Sequence, residues 1–289
     1  MNITNLKGLP DAIVRAVTND PYNPGKGHIS VTKLIDAPQR RALYAKYKNS
    51  IVEDVSDRIW SLLGQSVHTI LERAHKESAV KVEERLYTEV NGWTVSGQFD
   101  RLDLHGTTLD DYKVTSVWNS SGKVEWERQL NLLRCLAWRN GYEVDTLRVI
   151  AIFRDWKKGD AERKPDYPQA AVGVIQIPVW SMQECNDYLN ERVRLHQRAA
   201  DGDVIPCTDE ERWHEPSKFA LLKKGGKRAI RIYETRDEIG PIPDGTFVEE
   251  RKGSYRRCEQ YCEVAPFCTQ WAEQRGPVSN AEGEAGPDY

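Results

Sequence analysis

The sequence predicts an α/β fold built around a mixed sheet, followed by a cysteine-stapled C-terminal region. Three observations lead there. A long amphipathic helical pattern precedes a β-hairpin pattern, two apolar β-branched runs are bracketed by further helical patterns, and three cysteines crowd into one short stretch.

The first stretch, to about residue 50, is polar and proline-containing with short helical signals. Ser30 or Thr32 is placed to cap a short helix ahead of Pro38, and RRALYAKYK reads as a second helix. DVSDRIWSLLGQSVHTILERAHKE then gives the clearest helix. Ile59, Leu63, Val67, Ile70 and Ala74 recur at helical spacing, with Asp54 or Ser56 as its cap. TVSGQFDRLDL and TTLDDYKVT are strand patterns separated by His105-Gly106, a hairpin signal. A helix from about Val124 to Asn140 follows. TLRVIAIF and AAVGVIQI are suited to buried strands, with a polar loop between them, and a last long helix spans roughly Ser181 to Ala200.

At 289 residues, with 39% hydrophobic and 29% charged residues, the chain can bury one substantial core plus an accessory subdomain. No apolar run is long enough to span a bilayer and the N-terminus lacks a signal-peptide pattern, so a cytoplasmic location and no membrane partner are the expectation. A net charge of -3 argues against nucleic acid coating the whole surface. It leaves room for a local groove at either of two basic clusters: Lys218, Lys223, Lys224, Lys227, Arg228 and Arg231, or Arg251, Lys252, Arg256 and Arg257. Either run read alone is solvated surface charge.

The hairpin carries the chemical argument. If His105 and Gly106 form a two-residue loop, Leu104 pairs with Thr107, Asp103 faces Thr108, Leu102 faces Leu109, and Asp100 faces Asp111. Directly opposed residues share a sheet face with Cβ atoms roughly 5 Å apart. Lys113 lies on the same face as Asp111, because strand side chains alternate. Opposed carboxylates repel unless a cation sits between them, and a hard divalent ion such as Mg²⁺ or Mn²⁺ answers that need. Such an ion lowers the pKa of a bound water and stabilises charge on a phosphodiester transition state. The bland alternative is a surface hairpin with a salt bridge from Lys113. His68 and Glu72, four residues apart on the preceding helix, could add a ring nitrogen to the ion and an orienting partner for it, although a histidine beside an apolar face is more often packing. Gly64, one turn earlier, leaves room for close approach of another backbone.

RCEQYCEVAPFC sets Cys258, Cys262 and Cys268 in a C-x3-C-x5-C array. Six cysteines in a reducing compartment should not be disulfides, and thiolates this close call for zinc or an iron–sulfur cluster, each usually held by four. Cys135 and Cys185 fall inside helices and read as small buried residues, so Cys207, in the loop IPCTDEERW, is the fourth ligand of choice. The region from Asp201 to Trp271 is poor in apolar residues, so metal ligation would supply folding free energy there.

GQSVHTILE, SGQFDRLD, LDDYKVTS and QLNLL follow one another in the order of motifs in the RecB-like branch of the PD-(D/E)XK nucleases, which this chain resembles from about Ile29 to Trp271. The resemblance implies a restriction-endonuclease-like core over 51–200; the chain's own pattern gives a 1–50 N-terminal helical segment before it, a 201–271 metal-cluster subdomain after it and a disordered acidic tail over 272–289. The resemblance also implies a metal held by His68, Asp100, Asp111 and the Tyr112 backbone carbonyl, with Lys113 catalytic and Gln129 facing the site. The cysteine array is similar to the C-terminal cluster of iron–sulfur members of that branch, including the AddB subunit and CRISPR-associated exonucleases, which implies a [4Fe-4S] cluster on Cys207, Cys258, Cys262 and Cys268, with Zn²⁺ the alternative. Two departures stand out. Leu133 occupies the position of a family tyrosine, and LIDAPQRRALY carries Ala37 where the family places a cysteine.

The implied activity is a DNA exonuclease acting on single strands or ends in recombination, repair or phage DNA processing, with recombination or replication proteins as possible partners. Trp118 and Trp126 are candidates for stacking on bases, and Lys223, Lys224 and Arg228 for phosphate contact. The alternatives are a non-catalytic DNA-end-binding module and a structure- or site-specific endonuclease.

Overall fold

The structure, a computed structural model, describes residues 2–19, 25–74 and 78–275. In chain order β1 (Asn2–Thr4) and α1 (Asp11–Thr18) come first. β2 (Ile29–Ser30) then runs directly into α2 (Val31–Leu34), followed by α3 (Pro38–Tyr47) and β3 (Val52–Asp54). Next come α4 (Ile59–Ala74), β4 (Val80–Val82), β5 (Arg85–Val90), β6 (Trp93–Gln98), β7 (Arg101–Asp103) and β8 (Thr108–Thr115). α5 (Val124–Arg139), β9 (Thr146–Phe153), the single turn α6 (Lys158–Ala161), β10 (Val172–Ile177) and α7 (Met182–Ala200) follow. The remainder is β11 (His214–Glu215), β12 (Lys218–Lys223), β13 (Ala229–Tyr233), β14 (Thr246–Arg251), β15 (Ser254–Tyr255), α8 (Arg256–Gln260) and α9 (Thr269–Arg275).

The chain forms two compact units, one of residues 1–38 and 52–203, the other of 39–51 and 204–289. The segment read from the sequence as a 1–50 N-terminal region is therefore divided between them. Of the tail read as disordered, 272–275 completes α9, and the rest lies outside the described residues, as do His75 to Glu77 at the end of the long helical pattern.

The first unit is a mixed α/β structure. Its main sheet has the order β10-β9-β8-β7-β4, with β8 and β9 parallel and the other pairs antiparallel; β2-β6-β5 forms a second sheet. β8 and β9 are joined through α5, the crossover that parallel neighbours require. α5 is buried along Trp126, Leu130, Leu133, Cys135 and Leu136. Asn131, fully buried on it, satisfies its amide by donating to the Glu127 and Pro178 carbonyls and accepting from Trp180 N–H, which ties α5 to the chain entering α7. α7 starts in a capping box of Ser181 and Glu184. Gly97 of β6 is required by packing: a Cβ there would lie 2.6 Å from Leu133 Cδ2 and 3.0 Å from Val31 Cγ2.

Three local expectations are corrected. β10 is an edge strand with Val172 and Val174 exposed, so only β9 of the two apolar runs is a buried strand. α4 has no buried residue, and Ile70 and Leu63 of its apolar stripe are exposed; it lines an open cleft through Gly64, Gln65, His68 and Thr69. Among the described residues, none outside its own helix turn comes within 4 Å of where a Cβ on Gly64 would lie, and Gly64 lines that cleft.

The second unit joins α3 to the C-terminal elements. Arg40 pairs with Glu263 at 2.7 Å, Tyr47 stacks on Phe267 with ring centroids 4.4 Å apart, and Gln39 Oε1 accepts from Ile205 N–H at 3.2 Å. Its sheets are β13-β12-β14 and β11-β15, all antiparallel. Its buried apolar residues are few: Ile51, Ala220, Leu221, Leu222 and Val264 among those described.

Candidate metal centre

The β7–β8 pairing sets Arg101 against Asp110, Leu102 against Leu109 and Asp103 against Thr108, the register read from the sequence; the ladder ends there, one residue short of Asp100 and Asp111. The turn itself differs. Residues 104–107 form a four-residue turn without a Leu104–Thr107 pair. Asp103 Oδ1 accepts from the His105 and Gly106 amides, and Thr107, at φ 43°, takes the left-handed conformation that a glycine would ordinarily supply. The Asp103 side chain organises the turn locally, so the ladder beyond it keeps its register.

Asp100, buried just before β7, accepts a 2.6 Å hydrogen bond on Oδ2 from the Tyr112 amide. Its Oδ1 lies 3.4 Å from His68 Nδ1, which is also 3.5 Å from Glu83 Oε1. His68 Nε2 faces the Tyr112 carbonyl at 3.1 Å. Among the described residues, His68, Glu83 and Asp100 are the group whose ligand atoms all fall within 4.8 Å of one another. Next to them Lys113 Nζ lies 2.5 Å from Asp111 Oδ2, and Gln129 donates to Asp111 Oδ1 at 3.2 Å. All six side chains line one cleft of about 870 Å³.

The electrostatics are those of an anionic pocket holding a proton where a cation fits. Hydrogen bonds to Asp100 and Glu83 push the His68 imidazole up to about 10. Burial raises the Asp111 carboxyl above its ordinary range, with Asp100 adding to the effect and Lys113 opposing it. Burial also works against the charged form of Lys113, yet Asp111 and Asp100 outweigh it and hold the ammonium above its usual pKa. Asp111 Oδ2 is buried, with the Lys113 ammonium as its partner.

The donor set fits a divalent ion. An octahedral ion with ligands at about 2.1 Å sets neighbouring donors about 3 Å apart, close to the spacings around His68 Nδ1. Imidazole with two carboxylates suits Mn²⁺, and the oxygens suit Mg²⁺. A metal-bound histidine ordinarily donates its other N–H to a fixed acceptor. The Tyr112 carbonyl fills that place, in the role the sequence assigned to Glu72.

No protein-family model and no curated protein matches this chain. A solved structure, SSO0001, is similar at 16% identity and TM-score 0.47, over 70% of this chain and 89% of that one; a likeness so distant carries no argument.

Of the residues read from the sequence, His68, Asp100, Asp111, Lys113 and Gln129 come together. Glu83 was missed. It lies between β4 and β5 at φ 50°, its amide donates to the Asp100 carbonyl at 3.1 Å, and Gln98 holds its carboxylate at 2.6 Å. The only sequence signal was its place in the acid pair of KVEERLY. Asp110, the neighbour of Asp111, points away into pairs with Arg148 and Arg101, each at 2.7 Å. Leu133 is buried against the Gly97 backbone, so the position that carries tyrosine in the resembling family is a packing position here. Trp118 is 88% exposed in the turn after β8, whereas Trp126 is buried in α5 and is not a stacking surface. Its position on the core-facing side of the helix decides this.

In the second unit Lys223, Lys224 and Arg228 are exposed at the β12–β13 connection. Cys207, Cys258, Cys262 and Cys268 lie close enough to act on one another electrostatically, and burial first, then Glu211 and the other three thiols, push Cys207 up to about 12. Gln270 brackets Cys207, accepting from its amide and donating to its carbonyl at 2.9 Å each. Cys135 and Cys185 are fully buried in the first unit.

Proposed function

We propose that this chain is a divalent-metal-dependent DNA exonuclease of the RecB-like PD-(D/E)XK type. The observation that carries this reading is the convergence of His68 Nδ1, Glu83 Oε1 and Asp100 Oδ1 beside the Asp111–Lys113 pair in an open cleft. His68, Glu83 and Asp100, with Asp111 alongside, would hold Mg²⁺ or Mn²⁺. The ion supplies a polarised phosphodiester and a bound water of lowered pKa.

The chain's own residues do the rest. Tyr112 fixes two ligands at once, its amide orienting Asp100 and its carbonyl orienting His68. Lys113, held charged by Asp111 and Asp100, would serve as a fixed positive charge for the developing phosphorane. Asp111 positions that ammonium, and Gln129 restrains Asp111.

Cys207, Cys258, Cys262 and Cys268 would hold a [4Fe-4S] cluster that staples the second unit. Two observations support a four-cysteine site. The thiols of Cys258, Cys262 and Cys268 all act on that of Cys207. The segment before Cys207 is hydrogen-bonded to Gln39, two residues beyond Ala37, so Cys207 stands in for the N-terminal cysteine of the resembling family.

The test is incubation of labelled linear and closed circular single-stranded DNA with Mn²⁺. The proposal predicts shortening of the linear strand, an intact circle, and no cleavage by Asp111→Ala. Discrete products from the circle would indicate an endonuclease, and no cleavage by the native chain would indicate a binding module.

A further inference from the structure

Trp213 sits in a conformation that a tryptophan ordinarily avoids. Residues 209–213 form one turn closed by His214 N–H to the Asp209 carbonyl at 2.9 Å and Trp213 N–H to the Glu210 carbonyl at 3.0 Å. These six-to-one and five-to-two bonds are those of a Schellman motif, whose left-handed position belongs to glycine. Trp213 occupies it at φ 54°. A bulky side chain held there against its preference points to a use for the ring.

The ring is 38% exposed, and Tyr261, 53% exposed, lies beside it with centroids 5.4 Å apart. The Arg257 guanidinium lies 5.4 Å from the Trp213 ring and Arg256 lies 5.7 Å from that of Tyr261. Arg257 is anchored by donating to the Glu211 carbonyl at 2.9 Å. Arg256 meets Glu215 only at 3.7 Å with both side chains about half exposed, a pairing weak enough to exchange for a phosphate. Arg212 and His214, on either side of Trp213 in the chain, both pack on the Tyr255 ring, the guanidinium at 3.7 Å and the imidazole stacked at 4.7 Å.

We propose that Trp213 and Tyr261, flanked by Arg256 and Arg257, form a stacking platform for an unpaired base of a nucleic-acid strand in the second unit. The partner class rests on the reading of the chain as DNA-processing. The chemistry is specific to it: two exposed rings offer faces to a base, and two guanidiniums offer charge to its flanking phosphates. Duplex DNA hides its base faces, so the platform selects single strands.

The test uses the full chain in EDTA, where metal-dependent cleavage is off, and reads anisotropy of a labelled 15-nucleotide single strand together with thermal unfolding. Trp213→Gly relieves the left-handed strain. It should keep or raise the unfolding midpoint while weakening single-strand binding about tenfold, and Trp213→Phe should recover part of the loss. Tyr261→Leu should weaken binding without changing its salt dependence, whereas Arg256→Gln should flatten that dependence. Unchanged affinity in Trp213→Gly and Tyr261→Leu, no single-strand binding by the native chain, or equal losses on duplex would each overturn the platform. A chain that binds in this aromatic-dependent way but cleaves nothing with Mn²⁺ would keep the platform and remove the nuclease reading.

Discussion

Asp100 and Tyr112 are joined by a 2.6 Å hydrogen bond from the Tyr112 amide to Asp100 Oδ2. That bond leaves the other carboxylate oxygen directed at His68. One backbone group thus orients a carboxylate just before the neighbouring strand. Asp100→Asn keeps an acceptor for the amide and removes the charge. It should fold with a near-native unfolding midpoint but lose the rise in midpoint that Mn²⁺ gives the native chain. Differential scanning calorimetry with and without Mn²⁺ checks this.

Gln98 acts through Glu83, to which it donates at 2.6 Å, and is itself held by Arg85 at 2.7 Å. Gln98→Ala should weaken Mn²⁺ affinity by about 10–100-fold. Cleavage should be restored at saturating Mn²⁺. Titration calorimetry and a metal-dependence curve separate this from a loss of catalysis.

The tandem aspartates should behave oppositely. Asp110 is buried, pairs with Arg148 and Arg101, and takes no part in the cleft. Asp110→Asn should destabilise the fold by about 3 kcal/mol, because it leaves two guanidiniums without their shared acid. Asp111→Asn should spare stability and abolish cleavage. Urea unfolding alongside activity distinguishes the pair.

The hairpin was legible because side chains alternate along a strand and register counts outward from a turn, so Asp100 and Asp111 could be paired on paper. The turn was not, because Asp103 and a left-handed Thr107 build it rather than the His105-Gly106 step. Glu83 was invisible for a different reason. Its place depends on a backbone contact with Asp100 and on Gln98, seventeen and fifteen residues away, and neither leaves a local periodicity. Trp126 and the α4 stripe show the same limit: period reveals a face, while tertiary packing decides what covers it. The division of the first fifty residues follows from Arg40 and Tyr47, whose partners Glu263 and Phe267 lie more than two hundred residues away.

Asp54 gives a pH dependence of known sign. Its carboxylate accepts from Leu6 N–H at 2.6 Å, Ser56 N–H at 3.0 Å and the Thr4 hydroxyl at 3.0 Å, and these bonds, the Leu6 amide first, hold its pKa at about 2. The folded value lies below the unfolded one of about 3.9. Its stabilisation is therefore complete above pH 4 and fades as pH falls toward 2. Asp54→Asn should lower the urea midpoint at pH 7 and differ little from the native chain near pH 2.

The cysteine assignment separates cleanly. Anaerobically purified protein should be brown and contain iron and sulfide. Cys207→Ser should lose both, and Cys135→Ser, which alters a buried residue of the other unit, should keep them. Metal and sulfide analysis of the three proteins decides it.

Anomalous diffraction from a crystal soaked in Mn²⁺ tests the proposal that one divalent ion sits among His68, Glu83 and Asp100. A single strong peak is expected within about 2.3 Å of His68 Nδ1 and of a carboxylate oxygen of both Glu83 and Asp100. A crystal with no peak there, or with His68 still bonded to both acids while manganese binds elsewhere, would contradict it.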